Sequence, residues 1–253
     1  MGLFRLDGRA AVVTGAARGL GRAMALALAE AGADIIAIDT APLEELAQDV
    51  RDRGARCATR EADLSRTDPE AATELVDWCY RTFDGVSVLV NNAGLIRRGP
   101  ALGTPQEDWD AVLGLNLTAP FFLAQAFARL LYDTSATGSV INIASVNSFQ
   151  GGAEVPAYAA SKHGVLGITR ALANEWSRYG IRVNAIAPGY MVTDLTRAHR
   201  EDADRARTML GRIPAGRWGT PDDLAGAVVF LASPASSYVT GTALAVDGGW
   251  LAR

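Results

Sequence analysis

The sequence predicts an α/β protein: one doubly wound parallel sheet of about seven strands with helices on both faces, in a single domain spanning residues 1–253. Three observations predict it. Short, continuously apolar runs recur along the chain, amphipathic helical patterns separate them, and a glycine-rich turn follows the first run. Hydrophobic residues make up 49% of the chain and charged residues 21%, the composition of a globular domain, and 253 residues suit one such domain.

The runs are Ala10–Thr14, Ile35–Asp39, Val86–Asn91, Ser139–Ala144 and Arg182–Ala187, with a last strand near Ala243–Val246. Each is too short for a helix and too evenly apolar for a half-exposed sheet, so both faces of each strand are expected to be covered. Leu20, Met24, Ala27, Leu28 and Ala31 fall on one face of a first helix, which Gly32 ends. Strand, helix and strand in alternation imply right-handed crossovers and a parallel sheet. The uncharged stretch Ala111–Ala128 is interrupted by Asn116, Thr118, Pro120 and Gln125 and reads as a buried helix, not a membrane span. Residues 188–219 break the alternation, with eleven charged residues or His and Gly or Pro at both borders. Following a strand's C-terminal end, where open α/β sheets bind ligands, this segment reads as a helical lid.

Several functions drop out. A net charge of −4 supplies no basic field for nucleic acid or an anionic membrane. Cys57 and Cys79 cannot build a disulfide framework or a metal knuckle and read as small apolar core residues in a reducing compartment. With two histidines and no HExxH or CxxC pattern, no metal site is expected. No GxSxG elbow surrounds any serine. Without a signal-peptide pattern, a cytoplasmic location is expected.

Thr14-Gly15-Ala16-Ala17-Arg18-Gly19-Leu20-Gly21 leads from the first strand straight into the first helix. Glycines let backbone approach a pyrophosphate, and a helix N-terminus offers free N–H groups and the positive end of its dipole. Asp39 ends the second strand, placed to bond both hydroxyls of an adenosine ribose and to repel a 2′-phosphate. Thr40 and Ala41 are neutral, so NAD is expected as cofactor and NADP is disfavoured. The competing reading makes Asp39 a cap for a helix over Pro42–Arg51. Tyr158 and Lys162 stand at i, i+4 in a segment that looks helical from Pro156 to about Tyr179, which stacks them on one face. An ammonium near a phenol favours phenolate, a base able to take an alcohol proton. Ser145 ends the preceding strand and can hold the reacting oxygen. Pro120 lacks an N–H, so it frees the carbonyl of Asn116 and should bend the helix there.

The spacing TGxxxGxG, followed in order by Asp63-Leu64, Asn91-Asn92-Ala93-Gly94, Asn116, Ser145, Tyr158-Ala159-Ala160-Ser161-Lys162 and Pro188-Gly189, resembles the short-chain dehydrogenase/reductase family over essentially the whole chain. The resemblance implies a Rossmann-type fold with Asn116, Ser145, Tyr158 and Lys162 as catalytic residues. It implies cofactor binding by Gly15, Arg18, Gly19, Leu20, Gly21 and Asp39, with Asp63 at the adenine amino group and Leu64 against the ring. Asn91, Ala93 and Gly94 would line the nicotinamide ribose, Lys162 would bond its hydroxyls, and Val192 and Thr193 would meet the carboxamide beside Pro188 and Gly189. A water held at Asn116 would extend a proton relay from Tyr158 through the ribose and Lys162, an acceptor that Pro120 reinforces.

The segments 91–98, 148–152, 174–176, 188–191, 212–219 and 247–253 resemble a branch of the family acting at C5 of hexonates and their 2-keto-3-deoxy relatives. A sugar acid needs a cation for its carboxylate, and Arg97, Arg98, Gln150, Tyr190 and Arg217 are the candidates at the mouth. Any of these arginines could instead form a structural ion pair. His163, next to Lys162, points to another helix face. A polyol, steroid-like or acyl substrate stays open, whereas a non-enzymatic dinucleotide sensor is expected to lack Tyr158 or Lys162. The family is commonly tetrameric, so a homotetramer is implied, in which the apolar tail Trp250–Arg253 would complete a neighbour's site.

Overall fold

The computed structural model describes residues 2–253, except for the side chains of Leu195, Ala198 and His199. Seven parallel strands form one sheet in the order β3-β2-β1-β4-β5-β6-β7. They are β1 (Ala10–Thr14), β2 (Asp34–Asp39), β3 (Cys57–Glu61), β4 (Val88–Asn91), β5 (Gly138–Ile143), β6 (Ile181–Pro188) and β7 (Ala243–Val246). Helices α1 (Gly19–Glu30), α2 (Glu44–Asp52), α3 (Pro69–Phe83), α4 (Gln106–Leu113), α5 (Ala119–Asp133) and α6 (Pro156–Trp176) are followed by α7 (Arg197–Glu201), α8 (Ala203–Leu210) and α9 (Ala225–Ala232).

Strand residues alternate between two cores. Ala11, Val13, Ile35, Ala37, Val88 and Val90 pack with Met24 and Leu28 of α1, Leu46 of α2 and Val228 and Leu231 of α9. Their neighbours Val12, Ile36, Ile38, Leu89 and Val140 face the other way, against Leu75 and Cys79 of α3, Leu123 and Phe127 of α5 and Leu172 of α6. That two-sided burial is the physical reason the strands read as unbroken apolar runs.

The strand order reverses between β1 and β4, and the carboxyl ends on either side of that gap open a crevice. The helix from Gln106 to Asp133 is apolar enough to cross a membrane by length and composition, but it is the half-buried core helix of this domain. A π turn over Gly114–Thr118 interrupts it just before Pro120. A π turn inserts an extra residue into the ladder, which is how the chain accommodates a proline that cannot donate. Cys79 is buried, whereas Cys57, expected in the core, is only half-buried on edge strand β3.

Candidate active site

A cleft of about 550 Å³ lies over the carboxyl ends of the strands at that crevice. Gly15, Arg18, Gly19 and Leu20 line one wall, Asp39, Asp63 and Leu64 one end, and Ala93, Gly94, Ser145, Tyr158, Lys162, Pro188, Gly189 and Thr193 the rest. Helix α1 begins at Gly19 with no side chain capping its N-terminus, so its first N–H groups face the cleft unspent. Gly19 has φ +56, and only the Thr193 methyl, at 3.9 Å, comes near where a Cβ would sit, leaving room for a ligand against the backbone. Gly21 plays a different part: a Cβ there would collide with the Gly15 carbonyl oxygen. It lets the helix close against the turn and does not line the cleft, contrary to a direct contact role.

Asp39 holds still by bonding backbone on both sides. One carboxylate oxygen accepts the Ala17 N–H at 2.9 Å and the other accepts the Ala41 N–H at 3.0 Å. Neither N–H belongs to α2, so the helix-cap reading of Asp39 fails. The free lone pairs of its oxygens remain available to ribose hydroxyls at the cleft end. Asp63 accepts the Ser65 N–H at 2.9 Å, and that bond holds its carboxyl below the usual range.

Asn91 corrects an expectation. Its side chain turns into the interior, donating to the Pro120 carbonyl at 3.2 Å and to Asn142 Oδ1 at 3.0 Å, and it does not reach the cleft. Asn92 is the residue at the surface of the cleft, and its side chain donates to the carbonyls of Thr14 and Gly15 at 2.9 and 3.0 Å. Thr14 Oγ1 accepts the N–H groups of Asn92 and Ala93, both at 3.0 Å, so β4 and the glycine turn are sewn together. Val192 likewise leaves the cleft to Thr193 and Met191; its N–H pairs with the Gly219 carbonyl at 2.7 Å.

Tyr158 and Lys162 lie one turn apart on α6, with Nζ 5.6 Å from the phenol ring centroid. Lys162 is buried and donates to the Ile143 carbonyl at 2.6 Å. Burial brings its amine down to about 8. Burial also pushes the Tyr158 phenol up, while the Ser145 hydroxyl and the Arg98 charge pull it down, in that order. Among the chain's own groups the phenolate is therefore favoured by Ser145 and Arg98, whereas the spacing alone had pointed to Lys162. Ser145 Oγ accepts the Asn147 N–H at 3.1 Å, which leaves its proton free to donate to a phenolate or a reacting oxygen.

Asn116 sits on the π turn, below the cleft, with a fully engaged side chain. It accepts the Leu95 N–H at 2.8 Å and donates to the Leu95 carbonyl at 2.9 Å and to Ser161 Oγ at 3.2 Å. Ser161 in turn donates to the Tyr158 carbonyl at 2.8 Å, so Asn116 braces the helical turn that carries the phenol. His163 is exposed, with Nδ1 2.9 Å from the Ala159 carbonyl on its own helix.

The three candidate arginines separate. Arg97 pairs with Asp108 at 3.3 Å. Arg217 makes a bidentate pair with Asp223, at 2.7 Å for each bond, and this pins the lid border at Gly219. Both guanidinium groups are thus committed to carboxylates of the chain. Arg98 pairs with no carboxylate among the described residues, and its charge acts on both Tyr158 and Tyr190. Gln150 is half-buried on the loop after β5.

Tyr190 packs against Trp218 and Trp250, with ring centroids 5.6 and 4.6 Å away. The Arg212 guanidinium covers the Trp250 ring at 4.0 Å, and Arg253 donates to the Gly211 and Arg212 carbonyls at 3.3 and 3.5 Å. The tail therefore grips the lid of its own chain.

These residues fit a nicotinamide dinucleotide: a glycine cradle at an uncapped helix start, a fixed carboxylate at one end, and a phenol, a hydroxyl and a buried amine at the other. A family profile described as enoyl-(acyl carrier protein) reductase matches residues 15–251. The 2-dehydro-3-deoxy-D-gluconate 5-dehydrogenase of Escherichia coli (strain K12) is 52% identical over 99% of this chain and 98% of its own. An Agrobacterium tumefaciens crystal structure with bound NADP is 49% identical, covers 99% of each chain and superposes with a TM-score of 0.93. A gluconate 5-dehydrogenase from Burkholderia cenocepacia, in complex with NADP and tartrate, is 40% identical over 99% of this chain and 98% of its own, with a TM-score of 0.92.

Proposed function

The chain belongs to the short-chain dehydrogenase/reductase family and is an oxidoreductase using a nicotinamide dinucleotide, and from that premise we propose that it acts at C5 of a sugar acid, 2-dehydro-3-deoxy-D-gluconate or gluconate. The cofactor supplies and receives the hydride. The chain supplies the rest. Ser145 holds the reacting oxygen by donating its free proton, and Tyr158 exchanges a proton with that oxygen. Lys162, in this reading, bonds the nicotinamide ribose and passes the proton on toward the π turn at Asn116.

Arg98 is the observation that carries the substrate class. An exposed cation whose charge reaches the catalytic phenol, with no acidic partner among the described residues, is placed to take the carboxylate that a sugar acid brings. Polyol, steroid or acyl substrates would leave it unanswered. The names of the relatives support the same class.

Within this reading NAD is preferred over NADP. Asp39 is tied at both oxygens to backbone and cannot swing away from a 2′-phosphate. The relatives whose structures hold NADP weigh the other way, with Arg18 as the cation a phosphate would recruit from its place 3.9 Å from Asp194. The enzyme is a cytoplasmic homotetramer in this reading, and the apolar groove along α5 and α6, lined by Phe121, Tyr132, Trp176 and Tyr179, is the surface that subunits would cover. NADH and NADPH consumption with a panel of keto-sugar acids, neutral ketoses and acyl ketones tests the assignment. Turnover confined to the keto acids supports it; turnover of the neutral or acyl compounds alone would sink it.

A further inference from the structure

Ser148 opens the segment Ser148-Phe149-Gln150-Gly151-Gly152, which the dinucleotide cradle does not use. It ends the 3-10 turn Val146–Ser148 that follows β5 and is 4% exposed. A buried hydroxyl needs partners, and this one has two. Its Oγ donates to the Lys162 carbonyl at 2.6 Å and accepts the Ser145 N–H at 3.2 Å. The Ser148 N–H also donates to the Ser145 carbonyl at 2.9 Å. One hydroxyl proton and one lone pair satisfy both Oγ bonds at once, so neither excludes the other.

We propose that Ser148 is a positioning residue for proton transfer, its hydroxyl tying the backbone of Ser145 to the backbone of Lys162. Tyr158 and Lys162 share α6, so the helix itself sets their spacing. Ser145 comes from a different element, and nothing within α6 sets its distance from the phenol. Ser148 supplies that link across the gap between the loop after β5 and the catalytic turn. On its other side the same turn is held by Asn116 through Ser161, so the tie meets a braced partner and not a free one. Alanine at 148 would leave the Ser145 N–H and a lone pair of the Lys162 carbonyl without that bond in a buried place. Ser145 would then loosen, and with it the hydrogen bond that pulls the phenol down.

This inference rests on the proton-transfer roles of Tyr158 and Ser145, and two readouts separate it from the substrate assignment. The first is steady-state reduction of 5-keto-D-gluconate by NADH. The second, which needs no substrate, is the ultraviolet titration of the Tyr158 phenolate with NAD bound, taken as the difference from Tyr158→Phe. In Ser148→Ala, kcat is expected to fall about ten-fold with the KM for NADH within about two-fold. The phenolate midpoint moves to higher pH. Ser148→Cys keeps a donor at the same place, with a larger sulfur and weaker bonds, and shows both changes in smaller measure. A folded Ala or Cys variant with an unmoved midpoint overturns the proposal, even if kcat has dropped. If the wild type fails to reduce 5-keto-D-gluconate, gluconate alone is excluded as the substrate, and the titration still decides the role of Ser148.

Discussion

Replacing Asp39 with Asn should turn the cofactor preference, and the structure sets the size of the effect. The carboxylate accepts two backbone N–H groups, at 2.9 and 3.0 Å, one on each oxygen. An amide keeps one acceptor and turns its NH2 toward the other donor, so one charge-assisted bond of about 1.5–3 kcal/mol is lost to the fold. Toward NAD, weaker bonds to the ribose hydroxyls cost about 1.4–2.8 kcal/mol, or roughly 10–100-fold in kcat/KM. Toward NADP, removing a negative charge about 5 Å from a phosphate relieves about 3 kcal/mol at an effective dielectric near 20. Exposure at the cleft end screens that to about 1–2 kcal/mol, or roughly ten-fold. The kcat/KM ratio, NADP over NAD, should therefore rise by about 100–1,000-fold, read from initial rates with both cofactors on one substrate. A shift under about three-fold, or a wild type already faster with NADP, refutes the reasoning about Asp39.

Arg98→Ala should raise KM for an acidic substrate about ten-fold or more while leaving KM for NADH nearly unchanged, because the proposed reading gives this cation to the substrate carboxylate and it does not line the dinucleotide cleft; an unchanged substrate KM would move the carboxylate elsewhere. Deleting Trp250–Arg253 strips the cover from Tyr190 and Ile213 and frees Gly211 and Arg212, so activity should fall about ten-fold or more through a loosened lid. A mixture of full-length and truncated subunits then loses activity in proportion to the truncated share, whereas rescue by full-length neighbours would assign the tail to the partner's site. Lys162→Met should raise Tm by several degrees at pH 7 while abolishing turnover. The native amine, at about 8, lies below its unfolded value, so the unfolded chain binds the extra proton and stability rises with pH from about 8 to about 10.5. The charging penalty of about 3 kcal/mol is full below pH 8 and gone above that window, so the variant's advantage should vanish near pH 11; thermal melts at both pH values show whether it does.

Much of this was legible from residue order. Strands covered on both sides announce themselves by composition, and β1 and β7 run between the residues their apolar patterns mark. Edge strand β3 was not singled out, because Cys57–Glu61 is covered only in part and carries Arg60 and Glu61. A glycine turn, Asp39 and the i, i+4 pair are local signals, and local signals survive translation into three dimensions. Which of two adjacent asparagines meets the cleft is a matter of strand parity at the end of β4, and the motif does not say. Pro120 announced a disturbance in the helix, but not that the ladder would answer with a π turn or that the proline carbonyl would take Asn91. The arginines were undecidable in sequence, since Asp108 and Asp223 become partners only when separate turns are brought together. The Ser148 tie is equally invisible there, joining residues of two elements through a backbone carbonyl.

Turnover in this reading depends on a phenol that hands over a proton as hydride moves. Single-turnover oxidation of NADH by 5-keto-D-gluconate in Tyr158→Phe, with NADH binding followed separately, tests this most directly. The prediction is a rate lower by about 10³-fold or more with NADH affinity within about two-fold of wild type. Turnover within ten-fold of wild type, on an intact fold, contradicts it.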